Sequence, residues 1–435
     1  MYRIWYSSES FADYIIDKTV LSVMDDVQKR PLKESDIKAP NEFFKIPDHI
    51  RKILYLDCAD IIIEKDNNPI LCIEETKEAG TGHNVTQRFS RIMAALENGV
   101  PAVYIQPEGT IISRKVTRTV NGKKVNVLDE NGNQIYNCKW DRINPFIFAV
   151  MDRATNLYQI PALYFYYPTD IDEYLDNPEQ SPCFNNKGIR YDSDIVNYPG
   201  CPDSTDKTIV SMLSYINEII RLVENYGVVD YKNYLMGNRL VQEQRDFMNR
   251  QFFVKANGVS PRNMSPATKA IEIPTHYLIN YLSQYESNSY SVGELLRQRG
   301  NSIIYQVDST FRGDPYAGNL SAIDCFLCRT GRTFEDRDKN LVLAFGIVEV
   351  DDINQTIILN SQNGVSVDDM IHDVKESARC NLLIKDYDEL RNDQIPRYFM
   401  QVRYGSVYSK NKHVRVFSHL ADAILFEDGS LWRDA

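Results

Sequence analysis

An excess of positive charge is the first thing this chain lacks. Its 435 residues carry 49 Lys and Arg against 60 Asp and Glu, a formal net charge of −11. That balance does not suggest a general nucleic-acid coat, although local basic patches still decide binding at a given site. There is no signal peptide, no apolar run long enough to span a membrane and no lipidation motif, so a reducing cytoplasm and no membrane partner are expected. Internal repeats and low-complexity tracts are also missing, which argues against a solenoid or a disordered chain. The eight cysteines are scattered. Cys325-Phe326-Leu327-Cys328 has zinc-knuckle spacing, but no second CxxC or HxxxH completes four ligands, so the expectation is a buried strand with two thiols. What remains is ordinary for a soluble protein of two or three domains, with 43% hydrophobic and 25% charged residues. Tyrosine is abundant, at 27.

The chain is organised around the stretch from Leu56 to Gln106. Two apolar runs, Ile61-Ile62-Ile63 and Ile70-Leu71-Cys72-Ile73, flank the turn-forming cluster Asp66-Asn67-Asn68-Pro69 and predict a hairpin. Asp60 opens the first strand; Glu75 and Lys77 close the second and share one face, while Thr76 and Glu74 point the other way. Asn84 is a candidate cap for a helix whose apolar positions are Val85, Phe89, Ile92, Met93 and Leu96. Gly99 and Pro101 mark its end, and Val100 to Ile105 reads as a returning buried strand. Asp57 competes with Asp60 if the first strand is shifted.

This order of strand, turn, strand, helix and strand, with Asp60 and the Glu75-Thr76-Lys77 triplet, resembles the PD-(D/E)XK nuclease superfamily. Ala59 stands where the family name has Pro. The resemblance implies an α/β (mixed α+β) fold, with a restriction-endonuclease-like central mixed sheet flanked by helices. It implies Mg²⁺ as the metal and Asp60, Glu75 and Lys77 as the catalytic set, the two acids being the metal ligands. It also implies DNA as partner and a homodimer, because family members that cut both strands often match a duplex with a two-fold axis. The chemistry suits these groups: Mg²⁺ takes one or two protein carboxylates and leaves room for water and phosphate. Lys77 is placed to hydrogen-bond the attacking water and to stabilise the developing charge. The family's helix before the first strand often carries another acid, and Glu9 and Glu42 are the candidates.

Beyond this core (about residues 41–106), Phe11 to Gln28 reads as a helix burying Tyr14, Ile15, Leu21 and Met24, and Asn41 to Ile53 as a second, interrupted by Pro47. Arg88 and Arg91 project from the core helix, three apart, where both can reach one phosphate. Gly80-Thr81-Gly82-His83 matches neither a Walker loop nor a dinucleotide fingerprint and reads as a flexible strand-to-helix link. Residues 113–136 form an insertion with strong turns at Asn121-Gly122 and Asn131-Gly132. Arg114, Lys115, Arg118, Lys123 and Lys124 crowd this arm without an acid among them, as a phosphate grip requires; a solubilising edge ribbon would look similar. A helical stretch and a buried strand, Ala162 to Tyr167, follow, then a loop-like region from Thr169 to Lys207 and a helix at about Ile209 to Asn225. The division falls near Gly227, separating a nuclease domain (1–227) from a C-terminal α+β recognition or regulatory domain (228–435). That second half has a locally basic stretch, Arg239 to Lys269, and strands at Ser302–Val307, Leu341–Glu349, Thr356–Leu359 and Tyr398–Tyr404. Its carboxylates at Asp308, Asp314, Glu349 and Asp351 lack a Lys at the catalytic spacing.

The leading expectation is a metal-dependent endonuclease of restriction or phage-defence type. The alternatives are a nuclease effector switched on by a partner or small ligand, and a non-catalytic nucleic-acid-binding scaffold.

Overall fold

The hairpin sits at the centre of a six-stranded mixed sheet. The computed structural model describes residues 1–32, 46–54, 59–76, 82–142, 145–167, 201–256, 268–285, 296, 299–307, 325–329, 337–360, 420–425, 429 and 431–433. In chain order the first sheet and its helices comprise β1 (Tyr2–Tyr6), α1 (Glu9–Asp17), β2 (Val27–Pro31), β3 (Ile61–Lys65), β4 (Asn68–Glu75), α2 (Gly82–Glu97) and β5 (Ala102–Pro107). A ribbon of β6 (Gly109–Lys115), β7 (Thr117–Val120), β8 (Lys123–Asn126) and β9 (Tyr136–Arg142) follows. Then come α3 (Phe146–Tyr158), β10 (Ala162–Tyr167), α4 (Lys207–Asp230) and α5 (Arg239–Ala256). The second half holds β11 (Thr268–Pro274), α6 (Thr275–Leu282), β12 (Asn301–Val307), β13 (Lys339–Phe345), β14 (Ile347–Asp351), β15 (Thr356–Asn360), β16 (Ala423–Leu425) and β17 (Leu431–Arg433).

The first sheet runs β10-β5-β4-β3-β1-β2. β3 and β4 are antiparallel, while β4, β5 and β10 run parallel. Asp66 and Asn67 both take positive φ, 49° and 61°, the two-residue turn whose twist suits a hairpin. Asn68 and Pro69, expected in the turn, instead begin β4. Pro69 has no N–H to donate, and the register shifts at Ile63/Glu64, where it pairs. Glu64, fully buried, accepts from the Trp5 indole at 2.6 Å and from Arg3 at 2.6 Å, which locks β1 alongside the hairpin.

α2 buries Phe89, Ile92, Met93 and Leu96, as the apolar period predicts. It starts at Gly82, two residues before the expected Asn84 cap, because the apolar period marks the buried face and not the first hydrogen-bonded turn. At its C-terminus Gly99 (φ 67°) donates to Leu96 O and Val100 to Ala95 O, the paired bonds of a glycine-terminated helix.

Three sequence expectations change. The helix predicted over Phe11–Gln28 stops at Asp17, and its last residues enter β2, a parallel neighbour of β1. Thr19 breaks it: its hydroxyl donates back to Ile15 O at 2.7 Å and accepts from Leu21 N–H, opening a short 3₁₀ turn. Leu341–Glu349 is two strands, not one. Gly346 (φ 133°) separates them, and a Cβ there would stand 2.9 Å from Leu359 Cδ1. Cys325 begins a helical turn, not a strand, with Cys325 buried and Cys328 exposed. Asn41–Lys45, Thr169–Gly200 and Tyr398–Tyr404 lie outside the described residues.

β10 is an edge strand, and its outward groups are covered. Tyr164 N–H donates to Met248 Sδ, and the Gln244 amide of α5 donates to Tyr164 O at 2.7 Å. Gly227, where the sequence division falls, bends α4 with φ 82° and ψ 167°. Beyond it, Tyr231, Leu235, Val241 and Met248 still belong to the buried cluster of the first sheet, and the Tyr231 hydroxyl donates to Ile70 O.

The second sheet runs β11-β12-β13-β16-β17. Its strands alternate: Ile303, Tyr305, Leu341 and Leu343 join the large core, while Ile304, Val342 and Ala344 build a smaller one with Leu278 and Leu282 of α6. A buried ionic cluster ties the two sheets together. Arg337 grips both oxygens of Glu97, the last residue of α2, at 2.5 and 2.6 Å and reaches Asp422 at 3.0 Å. Asp422 also accepts from Arg329 at 3.1 Å and from Leu341 N–H at 2.8 Å. All four charged side chains are at most 2% exposed, two of each sign. No helix among the described residues is long and apolar enough to cross a membrane.

Candidate functional site

The acids of the hairpin meet at the C-terminal end of β4, beside the parallel strand β5. Asp60 is the residue before β3, and the pairing of Ile61 with Ile73 places it across from Glu74. Its backbone N–H donates to Glu74 Oε2 at 3.2 Å, and its carboxylate accepts from Glu75 N–H at 2.9 Å and from the Ser7 hydroxyl at 3.0 Å. Asp60 and Glu75 are therefore joined through the backbone of β4. Asp60 keeps 19% of its side chain exposed, so this end of the sheet is open to solvent.

Side chains alternate along β4, so Glu74 and Thr76 face α2 and Glu75 leaves from the opposite face. Glu74 is wholly buried and carries two guanidiniums: Arg91 at 2.6 Å and Arg88 at 3.0 Å. Arg91 also stands 3.8 Å from Asp60 Oδ1. The arginines expected to reach a phosphate are thus seated on the acid next to Asp60, with Arg91 11% and Arg88 25% exposed. Arg88 donates a further bond to Thr76 Oγ1 at 3.1 Å.

That bond begins a polar chain that the sequence reading missed. The Tyr104 hydroxyl lies 3.1 Å from Thr76 Oγ1 and 3.1 Å from Gln106 Oε1. Gln106 is wholly buried, and its Nε2 has no hydrogen-bond partner among the described residues. Burial pushes the Tyr104 phenol well above its ordinary range, so the hydroxyl stays neutral. A signal for this chain exists in the sequence: Tyr104-x-Gln106 sits at the end of a buried strand with the same period-two spacing as Glu74-x-Thr76. Only the parallel pairing of Glu74 with Tyr104 shows that the two series share a face.

Lys77 and the rival acid Asp57 lie outside the described residues, as does Glu42. Glu9 pairs with Lys29 at 2.8 Å, in company with Asp13. The basic arm is a ribbon in which β6 pairs with β9 and β7 with β8. Asn121 and Gly122 turn with φ of 51° and 76°. Lys115, Arg118, Lys123 and Lys124 are exposed; for Arg114 the strand is described but not the side chain. In the second basic stretch Arg239 is paired with Glu243 and Arg245 with Asp152.

The donor set fits a hard divalent cation. Carboxylate oxygens are what Mg²⁺ selects, and Asp60 uses two of the roughly four acceptor sites of a carboxylate. No cluster of three His, Cys, Asp or Glu able to hold a metal ion occurs among the described residues. Such an ion would take at most Asp60 and one neighbouring glutamate from these residues. Family models, curated proteins and solved structures were each compared with this chain, and none matches.

Proposed function

We propose that this protein is a metal-dependent nuclease that hydrolyses DNA phosphodiester bonds, of restriction or defence type, with a restriction-endonuclease-like core. The observation that supports the reading is the bond from Glu75 N–H to the partly exposed Asp60 carboxylate at the end of a hairpin that continues through a helix into a parallel strand. Bound Mg²⁺ would supply charge neutralisation at the phosphate and an acidified water. Asp60 and Glu75 would hold that ion. Ser7 and the Glu75 N–H orient the Asp60 carboxylate, an arrangement that fixes a ligand before substrate arrives. Lys77, two residues beyond Glu75, stabilises the charge that develops on the phosphoryl oxygens. Arg91 and Arg88 neutralise Glu74, so that a second acid beside Asp60 does not repel the substrate's phosphate. A cytoplasmic homodimer acting on a duplex is part of the same reading.

The experiment is incubation of the full chain with a mixed plasmid pool and Mg²⁺, followed by sequencing of the ends. Discrete ends support restriction. Random nicking supports the effector alternative, and tight binding without cutting supports the scaffold.

The ribbon provides the grip in this reading. Replacing Lys123, Lys124 and Arg118 by Ala removes exposed charges from the ribbon. Binding weakens, and the slope of log affinity against log salt flattens by about one unit per lost phosphate contact. Turnover at saturating DNA changes much less. An unchanged salt slope leaves the ribbon as a solubilising edge.

A further inference from the structure

The Cys325-Phe326-Leu327-Cys328 spacing has no part in the hairpin site, and the fold gives its two thiols different surroundings. Cys325 is 8% exposed and belongs to the large core, whereas Cys328, three residues on, is exposed. Phe326 between them is fixed beside the buried ionic cluster, with the Arg329 and Arg337 guanidiniums 4.1 and 5.3 Å from its ring centroid. Arg329 also donates to Phe326 O at 3.1 Å, which holds the turn from its far end. The exposed sulfur has cationic company. Arg153 of α3 donates to Cys328 Sγ at 3.6 Å. Lys339, which opens β13, is held above its ordinary range by its bond to Glu272 and, more weakly, by the charges of Asp338 and Cys328. Two cations therefore lie near one exposed thiol, and the thiolate is the form that attacks.

Residues three apart on a helical turn place their Cα atoms about 5 Å apart, within the about 4.4–6.8 Å that a disulfide spans. The Cβ atoms must close by about 1 Å, and the turn ends at Cys328, so no longer helix is distorted. We propose that Cys325 and Cys328 form a redox-active dithiol, at which Cys328 attacks a small-molecule disulfide and Cys325 resolves the product. Cys328 Sγ bonds to one sulfur of that disulfide, whose S–S bond breaks and releases a thiolate. Cys325 Sγ then bonds to Cys328 Sγ and expels the second thiolate. The leaving thiolates take up the protons that the protein thiols give up. Two protein thiols are oxidised, and one small disulfide is reduced to two thiols. Burial fixes the order, because only Cys328 meets a reagent arriving from solvent. The proposal does not depend on the cleavage reading.

The test exposes the reduced full chain to oxidised glutathione at about 1 mM, blocks remaining thiols by alkylation and weighs the tryptic peptides. Both cysteines fall on one peptide, Gly313–Arg329, with no Lys or Arg between them. In the wild type this peptide is expected to become lighter by two hydrogens, the mark of an internal disulfide. Cys325→Ala keeps a small apolar group in the core and is expected to stop at a glutathione adduct on Cys328. Cys328→Ser is expected to leave Cys325 unmodified. Arg153→Ala, an exposed change, slows adduct formation in the Cys325→Ala background by about two- to five-fold. A wild-type peptide that stays reduced, or that stops at the glutathione adduct, overturns the proposal. Modification of Cys325 in Cys328→Ser, or an unchanged rate in Arg153→Ala, counts against it equally.

Discussion

If the proposed nuclease reading holds, Asp60→Asn is expected to lower Mg²⁺-dependent cleavage by about 10³-fold, the scale seen when one charge-stabilising group is removed from a reaction centre. Folding is little changed, because the amide oxygen still accepts from Glu75 N–H while the amide NH2, in place of the other carboxylate oxygen, donates to the Ser7 hydroxyl, which can turn to accept. Glu75→Gln and Lys77→Ala are expected to lose activity to a similar extent. The control is Glu74→Gln, which strips the acid from beneath Arg91 and Arg88 and is expected to cost stability before chemistry. A fully active pair of Glu75→Gln and Lys77→Ala variants removes the proposed centre. If Glu74→Gln is inactive at unchanged stability while Glu75→Gln is active, the second metal ligand is the acid facing α2. An inactive Asp57→Asn beside an active Asp60→Asn would move the first ligand upstream.

Arg337→Ala destabilises the protein by about 3–5 kcal/mol, because it leaves Glu97 and one side of Asp422 as buried charges without their guanidinium. The reason is asymmetric. Among the described residues the intact cluster pairs two arginines with two acids and is close to break-even against an apolar packing. Removing one member exposes the full desolvation cost of what is left. Urea unfolding measures the loss, and the double variant Glu97→Gln, Arg337→Met recovers part of it, with a coupling of about 0.5–3 kcal/mol. Losses that simply add would mean that the two side chains do not act as a pair. Glu97 ends the same helix that carries Arg88 and Arg91, so loosening it also lowers any activity that depends on the hairpin acids. A fall in stability with unchanged cleavage at low temperature would separate the two sheets functionally.

The hairpin, α2 and β5 were legible because each declares itself locally. Two isoleucine-rich runs bracket Asp66-Asn67, a 3.6-residue apolar period ends at Gly99, and a buried strand follows. The ribbon turn at Asn121-Gly122 was legible for the same reason, since positive φ at both positions favours those two residues. β1 and β2 were not. Tyr2–Tyr6 is a short run at a terminus, and Val27–Pro31 is mostly polar, so neither carries a period that distinguishes strand from coil. They become strands by pairing with β3 and with each other.

The same divide runs through the site. That acids would gather at the end of β4 follows from sequence alone, since a hairpin turning within Asp66–Pro69 brings Asp60 near the Glu74-Glu75 pair, while the two-residue turn and the shift at Ile63/Glu64 set the register. The company each acid keeps does not. Glu74 meets Arg91 and Arg88 because α2 crosses the face of β4 on which Glu74 lies, and Tyr104 and Gln106 join because β5 pairs in parallel register. The tie between Glu97 and Arg337 spans 240 positions. Local spacing sets which side chains share a face of one element. Which face meets which is decided by burial of the whole core and by the pairing of charges that cannot be left alone inside it.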